Sequence, residues 1–211
     1  FFLLIIVSSI SNKFVDNSKS IKIKNINVLG LESKDNQIIL DKIKYLKLEN
    51  IFSINKNEIL KILNSNSLIE SYEIFKIYPS TINIIIKKTE FLAKINDNGK
   101  IFLIGSNGKL IPTVKPYKDL PFIFGTPKID EFLKFKQIID NSKFSYNQIE
   151  NLYFYQSKRW DLKLKENILL KLPNDFSNKI LDTLYEFLEE YNVKNFTIID
   201  SRIKNQIILN E

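Results

Sequence analysis

Histidine, cysteine and methionine are absent from the 211 residues. Without cysteine there is no disulfide framework and no thiolate metal site. Without histidine the commonest general base and the commonest transition-metal ligand are gone, and Ser–His or Cys–His nucleophile systems are excluded. Catalysis by a carboxylate or a lysine is what stays open to an enzyme. Glycine is scarce, with five residues, and none of them builds a phosphate-cradling loop. Position 1 is Phe rather than Met, so the expectation is a processed form or a fragment.

What is present suits a folded body. Hydrophobic residues make up 44% and charged residues 26%, and the length allows one large or two small domains. Lys and Arg outnumber Asp and Glu to give a net charge of +7. The abundance of Ile, Lys and Asn reads as an AT-rich coding bias that explains part of this charge. The basic residues are dispersed rather than gathered into one stripe, which argues against nucleic acid.

Phe1–Val7 is an unbroken apolar run, FFLLIIV. It is shorter than the ~20 residues that span a bilayer. The expectation is the outer end of a transmembrane helix, with residues 1–11 as its remnant. A signal-peptide core with Ser9 and Ser11 at a cleavage site is the rival, and an edge strand is the third reading. Residues 12–20, rich in Ser, Asn and Lys, read as a linker.

Residues 21–89 read as a first module. Ile21, Ile23, Ile26 and Val28 alternate with a slip at Lys24–Asn25, which predicts a bulged strand ending at Gly30. Asp35 is expected to cap a helix bearing Ile39, Ile43 and Leu46. Asn55, with Glu58 three residues later, caps a second helix lined by Ile59, Leu60, Ile62 and Leu63. Two strands follow, Ser71–Tyr78 and Thr81–Lys87, joined at Pro79-Ser80. The order β-α-α-β-β predicts two helices on a three-stranded sheet, an α+β module.

Residues 90–211 read as a second module. Ile101–Ile104 and Lys109–Ile111 form a hairpin about Gly105-Ser106-Asn107-Gly108. A Leu120-Pro121-Phe122-Ile123-Phe124-Gly125 stretch precedes a helix over Ile129–Asp140. Strands are expected at Ile149–Gln156, Arg159–Leu164 and Asn167–Leu172. A strong apolar stripe from Phe176 to Tyr191 predicts another helix. Strands at Asn195–Arg202 and Gln206–Leu209 close the chain. Trp160, the only tryptophan, alternates with Leu162 and Leu164 and reads as core.

Several stretches carry a resemblance. Ile26-Asn27-Val28-Leu29-Gly30, Asn50-Ile51-Phe52-Ser53-Ile54 and Tyr78-Pro79-Ser80-Thr81-Ile82-Asn83-Ile84 resemble motifs of the POTRA module of the bacterial cell-division family FtsQ/DivIB. Arg159-Trp160-Asp161-Leu162, Leu172-Pro173 and Ile199-Asp200-Ser201-Arg202 resemble the alphaproteobacterial β-domain, with Ser201 where that version has Leu. The Glu-Arg-x-Pro-x-Ala segment of the family is reduced to Ala93 in Lys88-Thr89-Glu90-Phe91-Leu92-Ala93. The resemblance implies an FtsQ-type β-domain, a mixed or antiparallel sheet with helices on one face, behind the POTRA module. It implies a single-pass protein of the inner membrane, mostly periplasmic, that scaffolds the divisome. It further implies that the C-terminal strands bind FtsB by strand addition, in a complex with FtsL, and that POTRA meets other division proteins. Control of septal wall synthesis would follow from that assembly.

Three functional readings compete. An enzyme would use Asp161 and Asp200 with Arg159 and Arg202, but these also fit ion pairs that fix strand register. A nucleic-acid binder would use Lys87, Lys88, Lys134 and Lys136 beside Phe91, Phe132 and Phe135, or stack bases on Tyr153 and Tyr155. A protein scaffold would use an uncapped edge at Gln206-Ile207-Ile208-Leu209. The resemblance favours the scaffold, with Phe196, Ile198, Asp200, Arg202, Lys204, Gln206, Ile207, Ile208 and Leu209 as the partner-binding residues. It implies no catalytic residue, no cofactor, no metal and no small-molecule substrate. The alternative is a POTRA-bearing component of outer-membrane assembly or secretion.

Overall fold

The structure, a computed structural model, describes residues 21–191, 196–204 and 206–210. The expectations for residues 1–20, and for Asn195 as a strand start, lie outside these. The chain divides into two units, one ending at Lys88 and the other starting at Thr89.

In the first unit the alternating isoleucines set the sheet. Ile26 and Val28 point inward from β1 (Asn25–Leu29), and Ile82, Ile84 and Ile86 from β3 (Thr81–Lys88). β3 is central, parallel to β1 and antiparallel to β2 (Ile69–Ile77). The helices α1 (Ser33–Ile43) and α2 (Lys56–Ser65) cover one face, and Ile39, Ile43, Ile59 and Leu63 seal the core. Each such side chain contributes about 1.5–3 kcal/mol by leaving water.

Four local expectations are corrected. β1 begins at Asn25, because Ile23 N–H instead donates to Glu49 (3.1 Å) and Ile51 N–H to Ile21 (3.1 Å), drawing Ile21–Ile23 away to a neighbouring loop. Asp35 does not cap α1, which starts at Ser33 behind Glu32. The Asn36 side chain bonds the Leu31 backbone in both directions (3.1 and 2.9 Å) and so tightens the entry earlier. Asn55 caps α2 as expected, accepting from Asn57 N–H at 3.0 Å, but Glu58 accepts from the Tyr45 hydroxyl at 2.6 Å. Leu46 sits in a 3-10 turn, Lys44–Leu48, rather than in α1.

Gly30 follows β1 with φ +115°, and a Cβ there would lie 1.7 Å from the Ile86 carbonyl oxygen. Only glycine lets the chain leave the strand so close to β3.

The second unit is built on a nine-stranded mixed sheet. Its strands are β4 (Phe91–Asp97), β5 (Lys100–Gly105), β6 (Leu110–Pro112), β7 (Phe122–Phe124), β8 (Ile149–Phe154), β9 (Trp160–Leu164), β10 (Leu169–Lys171), β11 (Ile198–Asp200) and β12 (Ile208–Asn210). They lie in the order β12-β11-β10-β9-β8-β7-β4-β5-β6. The helices α3 (Ile129–Asp140) and α4 (Asn178–Glu190) pack Phe132, Phe135, Ile139, Leu181 and Leu184 against the sheet. β4 has no counterpart in the strands expected from sequence. Ala93 and Ile95 alternate there, and only their pairing with β5 and β7 makes a strand of them.

One register row crosses all nine strands. It runs Pro112, Phe102, Ile95, Ile123, Leu152, Leu162, Leu170, Ile199, Leu209. Seven of these strands contribute an aliphatic residue, and period-two alternation puts the row under the helices. Trp160 belongs to the same core, stacked on Phe135 with ring centroids 4.3 Å apart.

Candidate partner-binding edge

The register fixes where the backbone of the last strand points. Leu169 N–H donates to the Thr197 carbonyl (2.8 Å) and Ser201 N–H to the Lys171 carbonyl (3.0 Å). Odd positions of β11 therefore face β10, and Ile198 and Asp200 face β12. Their register partners Asn210 and Ile208 face back. Leu209, between them, turns its N–H and C=O off the sheet. Its side chain packs into the core, as do those of Phe196 and Ile207. β12 thus offers backbone outward while its apolar side chains hold it down.

The remaining residues singled out from sequence fall around this strand. Ile198 is half-buried and Ile208 exposed, both on the face away from the helices. Gln206 is exposed just before β12, its N–H bonded to the Ile203 carbonyl at 3.1 Å. Arg202 and Lys204 are exposed in the β11–β12 connection. Arg202 Nε donates to both carboxylate oxygens of Asp200, at 2.8 and 2.9 Å. These bonds hold the Asp200 carboxyl below the usual carboxylate range, and burial opposes them. The strand is Ile208–Asn210 rather than Gln206–Leu209, since Ile207 lies before the pairing with β11 begins.

Beside the connection lies a groove of about 440 Å³, lined by Ile180 and Leu184 of α4 and by Ile203, Ile207 and Arg202. Ile203 and Asn210 were not singled out from sequence. The signal for Ile203 was an isoleucine between two cationic residues in a connection, a place with no core to join.

The carboxylates weighed for catalysis are tied into ion pairs. Asp161 is fully buried and accepts from Arg159 Nε at 3.1 Å. Asp161, Lys171 and Asp200 stand side by side across β9, β10 and β11, so a lysine separates the two acids. Arg159 also lies over the Tyr155 ring at 4.2 Å, and burial followed by Asp161 pushes the Tyr155 hydroxyl pKa up. Phe132 and Phe135 are in the core, and Tyr153 is stacked on Phe124 at 5.0 Å. None of these rings stands free for a base. Among the described residues, no helix is long and apolar enough to cross a membrane.

Comparison with known proteins covers both units. Residues 21–88 match the POTRA domain of FtsQ type, and residues 92–202 match the family described as cell division protein FtsQ/DivIB, C-terminal. The second match stops before β12. Cell division protein FtsQ of Rickettsia bellii (strain RML369-C) is 28% identical over 196 residues, spanning 88% of this chain and 70% of that protein. Cell division protein DivIB of Staphylococcus aureus (strain NCTC 8325 / PS 47) is 31% identical over 121 residues, 54% of this chain and 27% of that one. The major extracytoplasmic domain of DivIB from Geobacillus stearothermophilus overlays with a TM-score of 0.35 at 12% identity, over 51% of this chain and 92% of that one. With both units matched in order and the C-terminal match alone covering more than half of the residues, the chain belongs to the FtsQ/DivIB family of bacterial cell-division proteins.

Proposed function

We propose that this chain is a membrane-held scaffold of the divisome that captures a partner by strand addition to β12. The observation that carries the reading is the outward N–H and C=O of Leu209 on an edge strand with nothing covering it among the described residues. A partner strand laid there gains ladder hydrogen bonds for affinity. Ile198 and Ile208 on one face, and Arg202 and Lys204 in the connection, set which strand fits. An acidic partner segment suits the two cations, which steer encounter and register.

On this reading the partner is a protein of the FtsB type, held in a complex with one of the FtsL type, and the POTRA unit meets other division proteins. The apolar run Phe1–Val7 anchors the chain in the inner membrane with both units in the periplasm. Septal wall synthesis is governed through assembly, and the chain performs no chemistry of its own.

The test is capture from detergent-solubilised cells by the full chain and by a chain truncated after Arg202, with circular dichroism on both. Capture of a small coiled-coil membrane protein by the full chain, lost in a folded truncation, supports the reading. Equal capture by both places the binding edge elsewhere and sinks it.

A further inference from the structure

The first unit gathers three segments at the end where the chain enters it. Ile21–Ile23 is hydrogen-bonded to Glu49–Ile51, and Lys24 N–H donates to the Ser80 carbonyl at 2.8 Å. Lys76 Nζ reaches the Ile51 carbonyl at 2.7 Å and ties the end of β2 to the same loop. This end exposes an apolar cluster. Leu48 is 77% exposed, Phe52 60%, Tyr78 58% and Ile77 47%. The Phe52 and Tyr78 rings are stacked, centroids 5.1 Å apart, so the cluster has a built shape rather than loose side chains. Lys22, Lys24 and Lys47 are exposed at the same end. Glu49, half-buried, and Glu58, bonded by Tyr45, are the acidic residues nearby.

The composition selects the occupant. Protein interfaces are depleted of lysine at their centres. Aromatic rings and aliphatic side chains flanked by lysines are the chemistry of a bilayer surface, where rings sit at headgroup level and each lysine meets an anionic phosphate. Position in the chain agrees. Residues 8–20 separate Phe1–Val7 from Ile21, and a stretch of that length spans at most roughly 45 Å even when fully extended. This end of the unit is therefore kept near whatever holds the apolar run.

We propose that the Phe52–Tyr78 end of the first unit rests on an anionic phospholipid surface, with the ring pair and Leu48 entering the headgroup layer and Lys22, Lys24 and Lys47 contacting lipid phosphates. The contact rests on the reading of Phe1–Val7 as a membrane anchor. It would orient the first unit against the membrane.

The lack of cysteine makes a single-site probe simple. The full chain, carrying an N-terminal hexahistidine and Ser53→Cys labelled with a fluorophore, is held on nickel-chelating vesicles of phosphatidylcholine with brominated phosphatidylglycerol. A second chain carries the label at Ser33→Cys, at the start of α1 on the opposite end. The nickel tether makes the contact test independent of the anchor, which flotation without nickel reports separately. The expected result is quenching of the label at 53 and not at 33. The Lys22→Gln, Lys24→Gln and Lys47→Gln changes should each cut residence at the surface about fivefold. A label at 53 quenched no more than the one at 33 overturns the proposal. So does quenching that is equal on neutral brominated vesicles, or a label that ignores lipid and responds only to an added protein.

Discussion

The nine-stranded sheet ends in two edges of equal length that are built in opposite ways. At one edge, Gly105 N–H donates to the Lys109 carbonyl (3.0 Å) and Thr113 N–H to the Ile101 carbonyl (3.4 Å). Ile111 therefore faces β5, and Leu110 and Pro112 face off the sheet. Pro112 has no N–H, so this edge lacks a donor where a new strand would need one. At the other edge the outward position is Leu209, which keeps its N–H. Pro112 and Leu209 are the two ends of the same register row, so they differ in backbone chemistry and not in place. Natural sheets blunt edges they do not use. One edge here is blunted and the other is not, and that contrast is what singles out β12.

The largest effect should come from a change that removes both edges together. Gly125 ends β7 in the middle of the sheet with φ +102°, and a Cβ there would lie 2.2 Å from the Phe154 carbonyl oxygen. Gly125→Ala should cost the second unit about 3 kcal/mol through backbone strain alone, with the overlap in addition. Gly30→Ala should do the same to the first unit and leave β12 in place. Chemical denaturation, with hydrogen exchange resolving each unit, checks both. If Gly30→Ala abolishes partner capture while the second unit stays protected, the edge is not sufficient for binding.

Next in size is the edge itself. Leu209→Pro removes the outward donor while sparing the bonds of Ile208 and Asn210 to β11. Loss of a ladder bond and its neighbours should weaken partner capture at least tenfold, at about 1 kcal/mol or more for each bond lost. Because Leu209 also packs in the core, Ile208→Lys, which leaves the backbone intact and changes only an exposed face, is the companion variant. Binding titration with circular dichroism on each reads the result. Undiminished capture by a folded Leu209→Pro chain would break the comparison.

Much of this was legible in the sequence, and what was not has specific causes. The alternation of Ile82, Ile84 and Ile86, the stripe on α4 and the Asn55 cap are local signals, and each appears where the pattern put it. β4 was missed because its partners β5 and β7 lie on either side of it only after folding. The last strand came out shifted, since Ile207 and Leu209 both look like strand residues and only the register with β11 separates them. Edge identity is weaker still in sequence. Pro112 in a short apolar run signals a blunted edge once the run is known to be a strand, but the outward direction of Leu209 follows from hydrogen bonds between β10 and β11. The ion-pair role of Asp161 was legible from Arg159 two residues before it; its full burial was not.

A smaller effect is expected from opening the blunted edge. Pro112→Val restores an N–H at an outward position. The added donor should promote edge-to-edge pairing between copies, worth about 1 kcal/mol for each bond made. Sedimentation equilibrium should show more self-association than the parent chain. If Pro112→Val and parent behave alike, proline is not what protects this edge, and the segment after β6 does so instead.

The smallest effect separates the edges by pH. The Asp200 carboxyl is held below its ordinary value of 3.8 by the Arg202 hydrogen bonds. Its contribution to the folded edge is therefore complete above that ordinary value and is lost as pH falls through the lower, folded one. Arg202 stays charged throughout, so protonation of Asp200 alone breaks the pair. Asp200 sits opposite Ile208 and beside Lys171, and losing its charge leaves two cations facing an edge strand of three residues. The effect is small because Arg202 is exposed and solvent screens the pair. Amide signals of Ile208 and Asn210 should loosen as the pH falls below that ordinary value, and Asp200→Asn should remove the pH dependence and fix them in the looser state. Leu110-Ile111-Pro112 carries no ionisable side chain, so β6 should not respond over the same range. Equal loosening at both edges would mean that acid acts on the sheet as a whole. Loosening at β12 alone would mean that its attachment is set by one titratable pair, so that the edge offered to a partner is also the one whose hold on the sheet can be adjusted.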